Sequence, residues 1–240
     1  MIEIFSDPEG LSRGAAELFS AEAQRAQAAH GRFSVLLSGG ETPRRTYELL
    51  AEEPLRSRIP WQGVHLFWGD ERCVAPTDPR SNLHMARQAL LDRLSLPPVQ
   101  IHPMSGDMPP LQAATAYDGE LRRYFAGKEP RFDLVLLGLG EDGHTASLFP
   151  GSPSLDEQVQ WTAVTQRAGE EIQRITVTAP LINQAALVVF LVAGAAKAET
   201  LRRVLEGPAD PSELPAQLIR PVNGRICWLV DRAAARLLRS

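Results

Sequence analysis

The sequence predicts an α/β fold: a doubly wound, mostly parallel, Rossmann-like sheet with helices on both faces. Three observations carry this expectation. Short unbroken apolar runs recur along the 240 residues. Four of them are followed within a few residues by glycine. Longer stretches with helical spacing of apolar side chains fill the intervals. Strands of a parallel sheet covered by helices are buried on both faces, so they show continuous apolar runs rather than alternation.

Taken in order, Ile2–Phe5 reads as a strand and 11–29 as an Ala-rich amphipathic helix closed by Gly31. Phe33–Leu37, Val64–Trp68, 134–137 and Leu187–Val192 are the four glycine-followed runs. Helical spacing covers 43–50, 83–94, 111–125, 195–205 and 231–238. Proline-rich pieces near 97–98, 103–110 and 208–215 lie between periodic segments, so they read as loops of one domain spanning 1–240.

With 44% hydrophobic residues the chain can bury a core without metals or disulfides. A formal charge of −4 with no basic run argues against a nucleic-acid binder, whose partner demands clustered positive surface. An anionic small molecule needs only a few placed cations. Cys73 and Cys227 are far apart and are expected as reduced thiols. The first residues carry acids where a secretion signal carries cations, and the longest apolar stretch, 185–196, is too short to span a bilayer. The expectation is a cytoplasmic protein; oligomeric state leaves no trace.

In open α/β sheets ligands settle beyond the carboxyl ends of the strands, and four segments there could carry chemistry. After Phe33–Leu37 come Ser38, Gly39, Gly40, Glu41, Thr42 and Pro43. The glycines permit a tight turn, Thr42 is a candidate N-cap and Pro43 suits the first helical position. Free N–H groups at such a junction attract phosphate, although an ordinary strand-to-helix turn looks the same. After Val64–Trp68 come Asp70, Glu71 and Arg72; alternation would send one acid to the cleft and the other to a helix. Arg72 could meet an anion or an oxyanion, or join a surface ion pair. Ser81-Asn82 reads as a helix cap.

After 134–137 a Gly-rich turn presents Asp142 and His144. Imidazole moves protons near neutral pH, and a neighbouring carboxylate orients it. The fourth segment places Arg174 before a short alternating strand and Lys197, one of two lysines, beyond Leu187–Val192. Both would lie near the sheet edge, either gripping a phosphate or standing in solvent. Absent are GxSxG, HExxH and CxxC motifs, so neither a serine nucleophile nor a zinc site is signalled, and no cofactor or metal is expected.

These segments, from the Ser38–Pro43 turn through 68–74, Ser81-Asn82, the 138–150 string Gly-Leu-Gly-Glu-Asp-Gly-His-Thr-Ala-Ser-Leu-Phe-Pro, Arg174-Ile-Thr and 192–197, resemble the 6-phosphogluconolactonase family. The resemblance covers most of the chain in order. It implies the fold shared with glucosamine-6-phosphate deaminases, cofactor-free hydrolysis, and 6-phospho-D-glucono-1,5-lactone as substrate. It further implies His144 as general base with Asp142 beside it and Arg72 as an active-site cation. A phosphate clamp would be formed by Arg174 and Lys197 with Ser38, Gly39, Gly40 and Thr42. Two alternatives stand beside it. A glucosamine-6-phosphate deaminase would share the turn and the Asp-Gly-His loop but typically carries an aromatic residue where Arg72 stands. A sugar-phosphate sensor without turnover usually accompanies a DNA-binding segment, and none is visible here.

Overall fold

The computed structural model describes residues 1–126 and 129–239. In chain order the strands and α-helices are β1 (Ile2–Phe5), α1 (Pro8–His30), β2 (Phe33–Leu37), α2 (Glu41–Leu50), α3 (Leu55–Arg58), β3 (Val64–Trp68), β4 (Asp70–Arg72), α4 (Asn82–Ala89), β5 (Ile101–His102), α5 (Pro110–Phe125), β6 (Leu134–Gly138), β7 (Thr162–Gln166), β8 (Gln173–Val177), α6 (Ala179–Ile182), β9 (Leu187–Val192), α7 (Ala198–Glu206), β10 (Arg225–Asp231) and α8 (Arg232–Ala235). Seven strands form one sheet in the order β1-β10-β9-β6-β2-β3-β5, every pair parallel. From β2 the chain steps outward through β3 to β5; from β6 it steps the other way through β9 and β10. The winding therefore reverses between β2 and β6, the switch point at which such sheets open a crevice.

The doubly wound sheet thus stands as expected, and its physical basis is visible strand by strand. All five residues of β2 and all six of β9 are buried, as strands flanked on both faces must be. On α1 the buried side chains Leu11, Ala15, Phe19, Ala23 and Ala26 make one stripe against the sheet. This helix begins at Pro8 rather than 11, because the Asp7 side chain accepts the Gly10 N–H at 2.7 Å and proline fits the first turn. Gly31, at φ 77°, ends it.

Other boundaries needed correction. The first turn of α2 starts at Glu41, capped by Gly40, so Thr42 lies inside the helix and is not its N-cap. Only half of the 231–238 segment is helix: β10 runs to Asp231, whose side chain accepts from Ala234 N–H and caps the four-residue α8. That strand was absent from the sequence expectation, although Trp228 stacks on Phe190 of β9 with centroids 3.9 Å apart.

A second sheet is antiparallel, in the order β4-β8-β7. Asp70, Glu71 and Arg72 thus form a strand, and Arg174 lies within β8 rather than before it. Gly69 joins the sheets: its N–H donates to Leu37 O and its carbonyl accepts from Val177 N–H, both at 2.8 Å. Among the described residues no helix is long and apolar enough to cross a membrane.

Candidate active site

A cavity of about 370 Å³ opens over the carboxyl ends of β2, β6 and β9 and under the second sheet. Eight of the nine singled-out residues line it: Ser38, Gly39, Gly40, Thr42, Arg72, His144, Arg174 and Lys197. Asp142, the ninth, stands behind His144.

The turn after β2 is fixed by Tyr47 of α2, which accepts from Ser38 N–H and donates to Ser38 O, both at 2.9 Å. A Cβ on Gly39 would come within 2.1 Å of Asn82 Oδ1, so only glycine fits. Gly40, at φ 107°, brings no side chain to the start of α2, and no side-chain hydrogen bond caps that end. Uncapped N–H groups at a helix start favour an anion.

Both acids of β4 are buried, with opposite roles. Glu71 faces α4 and accepts four hydrogen bonds, from Arg72, Asn82 and Leu83 N–H and from the Ser81 hydroxyl. Burial pushes its pKa up, while those four donors hold the ionised form. Asp70 lines the cavity, accepting from Ser147 Oγ at 2.6 Å and Asn82 Nδ2 at 3.1 Å. Ser81, accepting His84 N–H, is the true cap of α4, and Asn82 is part of the cavity wall.

Arg72 and Arg174 are direct cross-strand partners on β4 and β8. Like charges so placed repel. Arg72 donates to Arg80 O, and Arg174 pairs with Glu170 at 2.6 Å and lies over the Phe149 ring at 5.3 Å. The Nε–H of each is buried and meets no protein acceptor among the described residues. Arg174 sits on the central strand of the small sheet and Lys197 beyond the interior strand β9, so neither cation lies at a sheet edge as expected. Lys197 Nζ is 3.9 Å from the Glu141 carboxylate.

The loop after β6 is knotted on itself: Gly140 N–H donates to His144 O at 2.8 Å, and Thr145 Oγ1 to Gly138 O at 2.9 Å. Gly143 turns the chain at φ 84°. The result brings His144 Nδ1 onto Asp142 Oδ1, while Asp142 Oδ2 pairs with Arg167 at 2.9 Å. Burial alone would raise the Asp142 carboxyl, but the hydrogen bond and charge of His144, with Arg167, outweigh it and hold it well below the usual carboxylate range. An ionised carboxylate on Nδ1 fixes the tautomer with the proton there, leaving the Nε2 lone pair for a ligand. The ring rests against Phe149, centroids 4.9 Å apart.

Asp70, Asn82 and Ser147 enlarge the cavity wall and its support beyond what the sequence expectation assigned; Arg167 and Glu170 were missed outright. A polar turn gives no local signal for an ion pair formed with residues far away in the chain. Among the described residues no group of three or more His, Cys, Asp or Glu side chains is placed to hold a metal ion.

An imidazole–carboxylate pair facing a cavity walled by Arg72, Arg174 and Lys197, at the switch point of a parallel sheet, defines an α/β enzyme acting on an anionic small molecule. The chain belongs to the family described as glucosamine-6-phosphate isomerases/6-phosphogluconolactonase, whose model matches residues 6–228. A 6-phosphogluconolactonase of Synechocystis sp. is 46% identical over 219 residues, covering 90% of this chain and 88% of that one. The solved 6-phosphogluconolactonase of Trypanosoma brucei superposes with a TM-score of 0.87 at 28% identity, over 100% of this chain and 98% of the other. A monomeric glucosamine-6-phosphate deaminase gives a TM-score of 0.82 over 98% and 99% of the two chains; at 20% identity that likeness concerns the fold alone.

Proposed function

We propose that this protein hydrolyses 6-phospho-D-glucono-1,5-lactone to 6-phospho-D-gluconate, in the oxidative branch of the pentose phosphate pathway, as a single cytoplasmic α/β domain. One observation carries the assignment: the His144 imidazole and the Ser38–Gly40 turn line the same cavity as Arg72, Arg174 and Lys197. The lactones among its relatives' names fit that geometry, since the substrate carries a phosphate at one end and an acyl carbon at the other.

In this mechanism the phosphate is held by the turn, the start of α2, Arg174 and Lys197, so remote binding energy orients the ring. Water attacks C1 as His144 Nε2 takes its proton, and Asp142 stabilises the imidazolium that forms. Arg72 meets the developing oxyanion. When the C1–ring-oxygen bond breaks, the imidazolium returns its proton to the departing oxygen, leaving a hydroxyl and a carboxylic acid that ionises. The base is regenerated, and no covalent intermediate is required.

His144→Ala should lower kcat by about 10²–10⁴ with KM little changed. The assay follows freshly generated lactone, corrected for spontaneous opening. A variant turning over at near wild-type rate would remove His144 from the mechanism. Equal activity on the unphosphorylated lactone would remove the phosphate assignment, and ammonia released from glucosamine 6-phosphate would transfer the protein to the deaminase side of its family.

A further inference from the structure

The stretch between β7 and β8 carries an ion-pair chain that the mechanism above does not use. Arg167 Nη2 lies 2.9 Å from Asp142 Oδ2, its Nη1 lies 3.3 Å from Glu170 Oε1, and Glu170 Oε2 lies 2.6 Å from Arg174 Nη2. Charges alternate along the whole path, His144, Asp142, Arg167, Glu170, Arg174, and both end residues line the substrate cavity. Arg167 itself is not part of that lining, so it acts on the reaction through its partners: Asp142 on the His144 side, and Glu170, which holds Arg174, on the other.

We propose that Arg167 is a positioning residue that sets the proton affinity of His144: it holds the second oxygen of Asp142 and offsets part of that carboxylate's charge. The inference rests on His144 being the base. Asp142 is already tied to His144 by two contacts through Oδ1, from the ring Nδ1 and from the backbone N–H. Oδ2 is left to Arg167, which therefore decides how much negative charge the imidazole meets. A carboxylate without its guanidinium would stabilise imidazolium more strongly, hold the base protonated to higher pH and leave less free imidazole to take the proton of the attacking water.

Other charges around His144 would remain as they are when Arg167 is changed. They are Glu141 on its own loop, Asp70 and Arg72 on β4, Glu170 beyond β7, Arg174 on β8, Lys197 beyond β9, Glu41 at the start of α2 and Glu213 in the segment behind Gly143. A change confined to Arg167 removes one charge next to Asp142 and one partner of Glu170, which keeps its 2.6 Å pair with Arg174. The Arg167 side chain is 41% exposed, which tempers the effect by screening but also makes the position tolerant of substitution.

The test is the pH dependence of kcat/KM for Arg167→Gln, Arg167→Lys and the unaltered enzyme. The amide keeps a donor for Asp142 and loses the charge; lysine keeps the charge. The acid limb of Arg167→Gln should move to higher pH by about half a unit, and Arg167→Lys should leave it near its original place. A residue serving only to brace the turn would lower the rate at every pH with the limb unmoved in both variants. An unmoved limb, or one displaced downward, in Arg167→Gln overturns the proposal. If that happens while His144→Ala is inactive, only the role of Arg167 falls; if His144→Ala retains activity, the base assignment falls and this inference with it.

Discussion

A single methyl group at Gly140 should disable the site. A Cβ built there would lie 2.0 Å from His144 Nδ1, 2.3 Å from its Cε1 and 2.5 Å from Asp142 Oδ1. Real Cβ contacts do not fall below 3.0 Å, so the ring must retreat by at least 3.0 − 2.0 = 1.0 Å. The Asp142 contact cannot follow unchanged, because the methyl wedges between the two side chains and the backbone that holds them. A displacement of about 1 Å at a reacting group costs on the order of 10²-fold in rate. Loss of the base altogether sets the far limit, about 10⁴-fold. The damage should fall on kcat, since Ser38, Gly40 and Lys197 stand outside the contact. It should leave thermal stability largely intact, because the obstructed atoms belong to side chains that are partly exposed, 22% for His144 and 30% for Asp142. Gly140→Ala is therefore to be assayed for lactone hydrolysis beside a thermal melt. A folded variant with kcat within about threefold of wild type would refute the account of the dyad, since an uncatalysed retreat of 1 Å would then cost almost nothing.

Two further outcomes follow from the same geometry. Glu71→Ala strands the Arg72 N–H on β4 and, at the start of α4, the Asn82 and Leu83 N–H groups and the Ser81 hydroxyl, so urea unfolding should report a loss of about 3–5 kcal/mol; a loss below about 1 kcal/mol would contradict it. Asp142 has a lowered folded pKa, so the stability it contributes is present above the unfolded carboxylate value, about 3.9, and is lost only as pH falls through the lower folded value. The stability gap between wild type and Asp142→Asn should be open at about pH 5 and narrow as pH falls below about pH 4, and a gap that does not narrow there would show that another group is being read.

Much of the architecture was legible because burial on both faces leaves a simple mark. The runs at Phe33–Leu37, Val64–Trp68 and Leu187–Val192 match their strands end for end. The mark fails where strands are short or polar. β5 has two residues, and β4 is Asp-Glu-Arg, whose pairing with β8 is decided by tertiary context rather than propensity. β10 was hidden differently: its final Asp231 looked like the opening of a long helix, and it does cap one, but of four residues. Thr42 was given a capping role that Gly40 takes, since the bend at φ 107° starts the helix at Glu41, earlier than the proline suggested.

The candidate site was legible for a similar reason. Its chemistry sits in contiguous strings, such as Asp142 to His144, that fall at strand ends. What escaped is spread across the chain: Asp142 and Arg167 are 25 positions apart, and Asp70 and Ser147 are 77 apart. Partners of that kind are chosen by how the small sheet seats on the large one, and no spacing rule records it.

The joint between the two sheets bears on how the substrate is held. The imidazole rides on the large sheet and both guanidiniums on the small one, and Gly69 bonds to each, with room so tight that an added Cβ would meet Leu37 O at 3.3 Å. In the proposed mechanism each end of the substrate meets groups from both sheets, Arg72 with His144 at the acyl carbon and Arg174 with the Ser38–Gly40 turn at the phosphate. A slip at the Gly69 joint would therefore loosen both grips together.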